Sequence, residues 1–261
     1  MKKTIYFAHA NGFPGPCYQA FFAGLKEAAT LYYTDKLGHH PDYPLIDNWH
    51  GLVNELIHHI ENTADVPVIG VGHSLGGVLH FIASYQRPDL YQAVVMLDSP
   101  VLRPMISTLI RLLKLSGHIE KITPAGKTKY RKTTWANAEE ALLYLKERPL
   151  FAHFDTACLN DYITHGMVKD EQGIHLRFNR EIEYRIYCTL PHNLARYQHR
   201  RSVQTGVLYG EDSHVIKTKD VAYLSTRLGM KVKATPGGHL FPFEYPRQAA
   251  KMTLEMIDAL L

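Results

Sequence analysis

Cysteine is scarce in this chain. There are three in 261 residues (Cys17, Cys158 and Cys188), an odd number at wide spacing. That argues against a disulfide framework and fits a reducing compartment, so the expected location is the cytoplasm. Long apolar runs are missing as well. No stretch approaches the roughly 18 to 20 residues that a membrane-spanning helix needs. The run Ile5 to Ala8 behind Lys2 and Lys3 is too short for the core of a signal peptide. Metal-ligand spacings are also lacking. Of the sixteen histidines, His58 and His59 are adjacent rather than four apart, and His39-His40 has no spaced partner. No metal and no cofactor is therefore expected. Internal repeats and low-complexity tracts are absent too.

The composition, 46% hydrophobic and 21% charged, is that of an ordinary globular protein. Net charge is +4. The densest basic stretch, Lys127-Thr-Lys-Tyr-Arg-Lys132, has the makings of a nucleic-acid or anionic-surface contact. A solvated face is the expected reading, with no nucleic-acid partner. Nothing in the sequence fixes the oligomeric state.

Along the chain, Lys3 to Ala8 reads as a strand that ends in the Gly/Pro-rich run His9 to Pro16. A helix over Tyr18 to Ala29 and a strand over Leu31 to Thr34 follow. Trp49, Leu52, Val53, Leu56, Ile57 and Ile60 keep the 3.6-residue period of a helix that Asp47 is placed to cap. Val66 to Val71 is a buried-looking strand, Val78 to Tyr85 an apolar helix and Ala93 to Leu97 another strand. Strands alternating with helices predict an α/β fold, a mostly parallel sheet with helices on both faces. From about Val101 to Gln204 the rhythm breaks into mainly helical stretches, including Met105 to Leu115 and Ala136 to Glu147, with a small hairpin around Asp170-Glu-Gln-Gly173. It resumes with strands at Gly206 to Tyr209 and Lys231 to Ala234 and a last helix over Arg247 to Leu261. The expected organisation is a core of residues 1–100 and 204–261 with an inserted, mainly helical cap, residues 101–203.

Gly72-His-Ser74-Leu-Gly76 fits G-x-S-x-G between an apolar strand and an apolar helix, the setting of a nucleophile elbow. Ser74 needs a base to take its proton. Gly237-Gly-His239 follows the last predicted strand and so lies at the strands' carboxyl edge, the edge Ser74 occupies, which makes His239 the candidate.

With these segments the chain resembles the α/β-hydrolase superfamily. The resemblance implies an oxyanion hole built from the amide of Leu75 and one from the loop after the first strand. Phe13 is the first choice there, with Gly12 and Asn11 as alternatives, because the loop departs from the plain His-Gly pattern. For the acid, Asp98 ends the strand Ala93 to Leu97. The turn Gly210-Glu-Asp-Ser213 offers Asp212 one residue early, with Ser213 in the family's usual position, and Glu211 as a third candidate. Asp98 is expected. The cap is more loosely similar to uncharacterised bacterial and fungal α/β-hydrolases, through Asp161 to Gly166 and Glu181 to Tyr187, and its helix at Met105 to Leu115 is apolar enough either to line an acyl pocket or simply to pack.

The resulting expectation is a carboxylic-ester hydrolase acting on a small acyl substrate through Ser74, His239 and an aspartate. Thioester, amide or carbon–carbon bond hydrolysis on the same residues is the alternative. A non-catalytic receptor or scaffold of the same fold is a further one.

Overall fold

The computed structural model describes residues 2–197 and 203–261. In chain order its strands are β1 (Lys3–Ala8), β2 (Ala29–Tyr33), β3 (Val68–His73), β4 (Tyr91–Leu97), β5 (Thr134–Trp135), β6 (Met167–Asp170), β7 (Gly173–Leu176), β8 (Gln204–Gly210) and β9 (Lys231–Thr235). The helices are α1 (Gln19–Lys26), α2 (His50–Thr63), α3 (Leu75–Gln86), α4 (Pro104–Leu115), α5 (Ala125–Thr128), α6 (Ala138–Lys146), α7 (Thr156–His165), α8 (Arg180–Cys188), α9 (Thr218–Ala222), α10 (Phe241–Glu244) and α11 (Pro246–Leu260).

Six strands form one sheet in the order β2-β1-β3-β4-β8-β9. Every neighbouring pair is parallel. Parallel strands need long crossovers, and here helices supply them. Alternation within each strand sends side chains to opposite faces. Phe7, Val71 and Val95 pack with Phe21 and Phe22 of α1 and Ala249 and Ile257 of α11. Tyr6, Val94 and Met96 pack with Leu52 and Leu56 of α2 and Val78 and Leu79 of α3. Both faces are thus covered, which is why β3 and β4 read as nearly unbroken apolar runs.

Between β4 and β8 the chain leaves this sheet. The hairpin at residues 170–173 joins β6 to β7, and β5 adds to it, giving a second, antiparallel sheet in the order β5-β7-β6. The rest of that segment is mainly helical. Its inner aromatic side chains surround Phe13, whose ring lies 5.4 Å from Tyr162, 6.2 Å from Phe151 and 5.1 Å from Phe243 of α10. The insertion therefore packs on the loop that leaves the carboxyl end of β1.

Asp47 does not cap α2. Asn48 and Trp49 both take left-handed backbone, so the helix starts at His50 with Trp49 in the capping position. The Asp47 carboxylate instead pairs with Lys114 of α4. Among the described residues no helix is long and apolar enough to cross a membrane.

Candidate active site

Sheet register sets the positions of the chemistry. His73, the last residue of β3, pairs with Leu97, the last of β4. The ladder then runs one step further, because Ser74 N–H donates to Leu97 O at 2.8 Å and Asp98 N–H to Leu208 O at 2.7 Å. Ser74 and Asp98 consequently leave adjacent strands at the same level. Both turn sharply, with φ of 52° at Ser74 and 43° at Asp98, a region that costs a side-chain-bearing residue on the order of 1–3 kcal/mol. The elbow is possible because Gly76 carries no side chain: a Cβ there would lie 2.0 Å from the Ala8 carbonyl oxygen.

Asp98 is fully buried, and three donors converge on it. Gly210 N–H donates to Oδ1 at 3.0 Å, while Ser213 Oγ–H and His239 Nδ1–H both donate to Oδ2 at 2.6 Å. Hydrogen bonds to a charged acceptor are the strong ones, so this set holds an anion inside the protein. Since Nδ1 of His239 carries the proton shared with Asp98, Nε2 is the nitrogen left to accept another. The loop bearing His239 is pinned by Glu244, whose Oε2 accepts from Gly238 N–H at 2.7 Å.

Asp212 and Glu211 stand apart from this network. Both are exposed, and their backbone N–H groups donate to Gly237 O and Thr235 O. Asp212 is therefore not the residue that meets His239. The turn contributes through Ser213 instead, whose hydroxyl accepts from Val215 N–H at 3.0 Å and directs its own proton to Asp98. Sequence reasoning passed over Ser213 because it looked only for a carboxylate. The available signal was a hydroxyl residue standing where the resemblance places an acid.

A second polar chain also went unread. Ala10 N–H donates to Tyr18 Oη at 3.1 Å, Tyr18 O–H donates to His73 Nδ1 at 2.8 Å, and His73 Nε2–H donates to the His239 carbonyl at 2.9 Å. A carbonyl can only accept, so His73 is the neutral Nε2–H tautomer. Burial and the nearby His239 push its pKa down to about 3, consistent with a ring that stays uncharged. This chain links the β1 loop, the residue before Ser74 and the backbone of His239. A tyrosine at the start of an apolar helix and a histidine inside a glycine turn were its only traces in the sequence.

In the β1 loop, Phe13 N–H donates to Ala10 O at 3.1 Å and closes a turn in which Gly12 has φ of 81°, as the third position of a type II turn requires. The Phe13 amide thus closes this turn, and its ring is buried in the aromatic cluster. The amides of Asn11 and Gly12 have no backbone acceptor among the described residues. The insertion holds this turn from above: Asn11 Nδ2 donates to Glu183 O of α8 at 2.9 Å. Glu183 is itself buried and paired with Arg131 at 2.6 Å, and burial raises its pKa despite that partner. Leu75, first residue of α3, presents an N–H that no helical acceptor can take. Among the described residues no group of three His, Cys, Asp or Glu side chains is arranged to hold a metal ion.

Known proteins share this architecture. The hydrolase of E-2-(acetamidomethylene)succinate is similar in structure with a TM-score of 0.78, at 18% identity, over 98% of this chain and 91% of that one. A thioesterase domain from the curacin biosynthetic pathway gives a TM-score of 0.73 at 16% identity, over 97% and 91%. A curated relative, a monoglyceride lipase homolog of monkeypox virus, is 24% identical over 136 residues, 48% of this chain and 49% of that protein. The match thus spans about half the length of that relative. The model of the Alpha/beta hydrolase family matches residues 5–252. With nearly the whole chain matched and the parallel sheet and strand-to-helix elbow in place, the protein belongs to the alpha/beta hydrolase family.

Proposed function

We propose that the chain is a serine hydrolase of carboxylic esters, working through Ser74, His239 and Asp98. Ser74 Oγ attacks the acyl carbon while His239 Nε2 takes its proton. Asp98 keeps the Nδ1–H in place and balances the charge on the imidazolium. The oxyanion is met by the amide of Leu75 and one amide of the Asn11-Gly12 turn. Nε2 then returns the proton to the leaving alcohol, and water, activated by the same nitrogen, cleaves the acyl-enzyme. The observation that supports this reading best is the 2.6 Å bond between His239 Nδ1 and Asp98 Oδ2, made beside an elbow whose serine is held at φ 52°. The insertion, packed on the β1 loop, serves in this reading as the cap over the acyl site.

A fluorophosphonate probe is expected to label Ser74, and Ser74→Ala to abolish both labelling and turnover of p-nitrophenyl esters. His239→Ala is expected to lower turnover on the order of 10³-fold or more. Folded wild-type protein that resists the probe would refute the reading.

A further inference from the structure

Helix α4 is built inside out. Its inward edge carries Ser107 and Ile110, both buried, and Lys114, which donates to the Leu190 carbonyl at 2.9 Å. On the opposite side Met105, Leu109, Leu112 and Leu115 follow one another at spacings of four, three and three, which places them in a single stripe. They are 81%, 46%, 58% and 76% exposed. An ordinary surface helix of a globular protein turns such a stripe towards the core.

The segment that carries the stripe is cationic. Between residues 103 and 132 the chain has eight Lys or Arg residues and one acidic residue, Glu120. The whole protein carries a formal charge of only +4, so everything outside this segment is net acidic. Some of these cations are engaged: Arg103 with Asp220, Lys114 with Asp47, Lys129 with Glu120, Arg131 with Glu183, Lys132 with Glu140. Arg111, Lys121 and Lys127 are exposed and have no ion-pair partner among the described residues. Arg111 lies one turn from Leu115, at the edge of the stripe.

We propose that this face of α4 docks on an anionic lipid surface, the four apolar side chains entering the headgroup boundary while Arg111, Lys121 and Lys127 meet lipid phosphates. An apolar stripe flanked by basic residues is the pattern of helices that lie in a membrane interface. Cations close to such a surface each strengthen binding on the order of fivefold, converted from about 1 kcal/mol per residue. A second copy of the chain suits the face poorly, because pairing it with itself would bring Arg111 and two such cationic segments together. Since α4 begins shortly after Asp98, docking also brings the carboxyl edge of the sheet close to the lipid.

Flotation with vesicles of phosphatidylcholine, with and without phosphatidylglycerol, tests this. Wild type should float with the anionic vesicles and lose binding as salt is raised. The triple variant Met105→Ser, Leu109→Ser, Leu112→Ser should bind at least about tenfold more weakly. Arg111→Glu, Lys121→Glu, Lys127→Glu should lose the preference for anionic lipid. All six positions are exposed, and circular dichroism should show both variants folded. Ser74→Ala should float like wild type, which keeps this test separate from that of the hydrolase reading. No binding to either vesicle, unchanged binding by the serine variant, or a solution dimer that the serine variant abolishes in place of vesicle binding would overturn the proposal.

Discussion

The ends of β4 and β8 are neighbours in one sheet, yet they end in opposite ways. β4 stops at a buried carboxylate in left-handed backbone with three donors aimed at it. β8 stops in a turn whose two carboxylates, Glu211 and Asp212, face solvent. The contrast shows what orienting a histidine demands of an acid. A carboxylate in water is screened and free to rotate, and it gains little from an imidazolium nearby. One that is buried keeps its charge only because the protein supplies its hydrogen bonds, and those bonds also fix where its oxygens point.

The sharpest way to break this comparison is to neutralise each end in turn. Asp98→Asn is expected to reduce kcat/KM for a p-nitrophenyl ester on the order of 10³- to 10⁴-fold, whereas Asp212→Asn should stay within about twofold. Equal losses would mean that burial does not distinguish the two ends.

A second test uses pH, since the sheet is packed against buried histidines that cannot readily charge. Burial is the leading cause that lowers the pKa of His9 to about 4 and of His73 and His80 to about 3. Below pH 6.5 the unfolded chain takes up protons that the folded one refuses, so stability falls as pH falls, by roughly 1.4 kcal/mol per pH unit for each histidine. Glu55 opposes them. Buried on α2 and raised to about 7, it is protonated in the fold before it is in the unfolded chain. Its contribution is complete below the unfolded pKa, near 4.5, and is lost as pH rises through about 7. The four together should make the unfolding free energy drop by about 3 kcal/mol per pH unit between pH 6 and 5. Urea titrations across that range would measure it. His73→Gln should flatten the slope by one proton, and a wild-type stability that is flat over the range would contradict the assignment.

A smaller loss than that of Asp98→Asn belongs to Ser213, whose hydroxyl reaches from the turn after β8 to the end of β4. Ser213→Ala removes a donor from Asp98 while leaving the His239 bond, and should lower turnover by about tenfold, equivalent to roughly 1.4 kcal/mol for a hydrogen bond to a charged group. A loss approaching that of Asp98→Asn would make Ser213 more than an accessory.

Much of this was legible in the residues themselves. β1, β3 and β4 announce themselves because strands buried on both faces are continuous apolar runs, and the placement of Ser74 and His239 at one edge follows from a parallel sheet. Asp98 stands out for ending its strand outright. What stayed hidden depends on contacts far apart in sequence. Asp47 read as a cap because its distance from α2 was right, but two left-handed residues intervene and Lys114 claims its charge. The turn that the Phe13 amide closes onto Ala10 is likewise set by backbone geometry that a motif does not carry. β5, two residues long, carries no periodicity. The apolar run over Met105 to Leu115 correctly signalled a helix, but amphipathicity cannot say which face is inside. Here the apolar stripe faces out.

That Asp98 and His239 lie 141 positions apart in the chain has a consequence during synthesis. A chain growing from its N-terminus completes the elbow, Asp98 and the whole segment between β4 and β8 before His239 exists. Until the chain beyond β9 has emerged, Asp98 lacks its bond from His239 and the pinned loop around Gly238 is absent; on the proposed mechanism Ser74 then has nothing to take its proton. On the proposed mechanism a nascent chain is thus chemically silent until the segment after β9 has left the ribosome. Ester turnover, on that mechanism, would report that the sheet strands on either side of the segment between β4 and β8 have found each other.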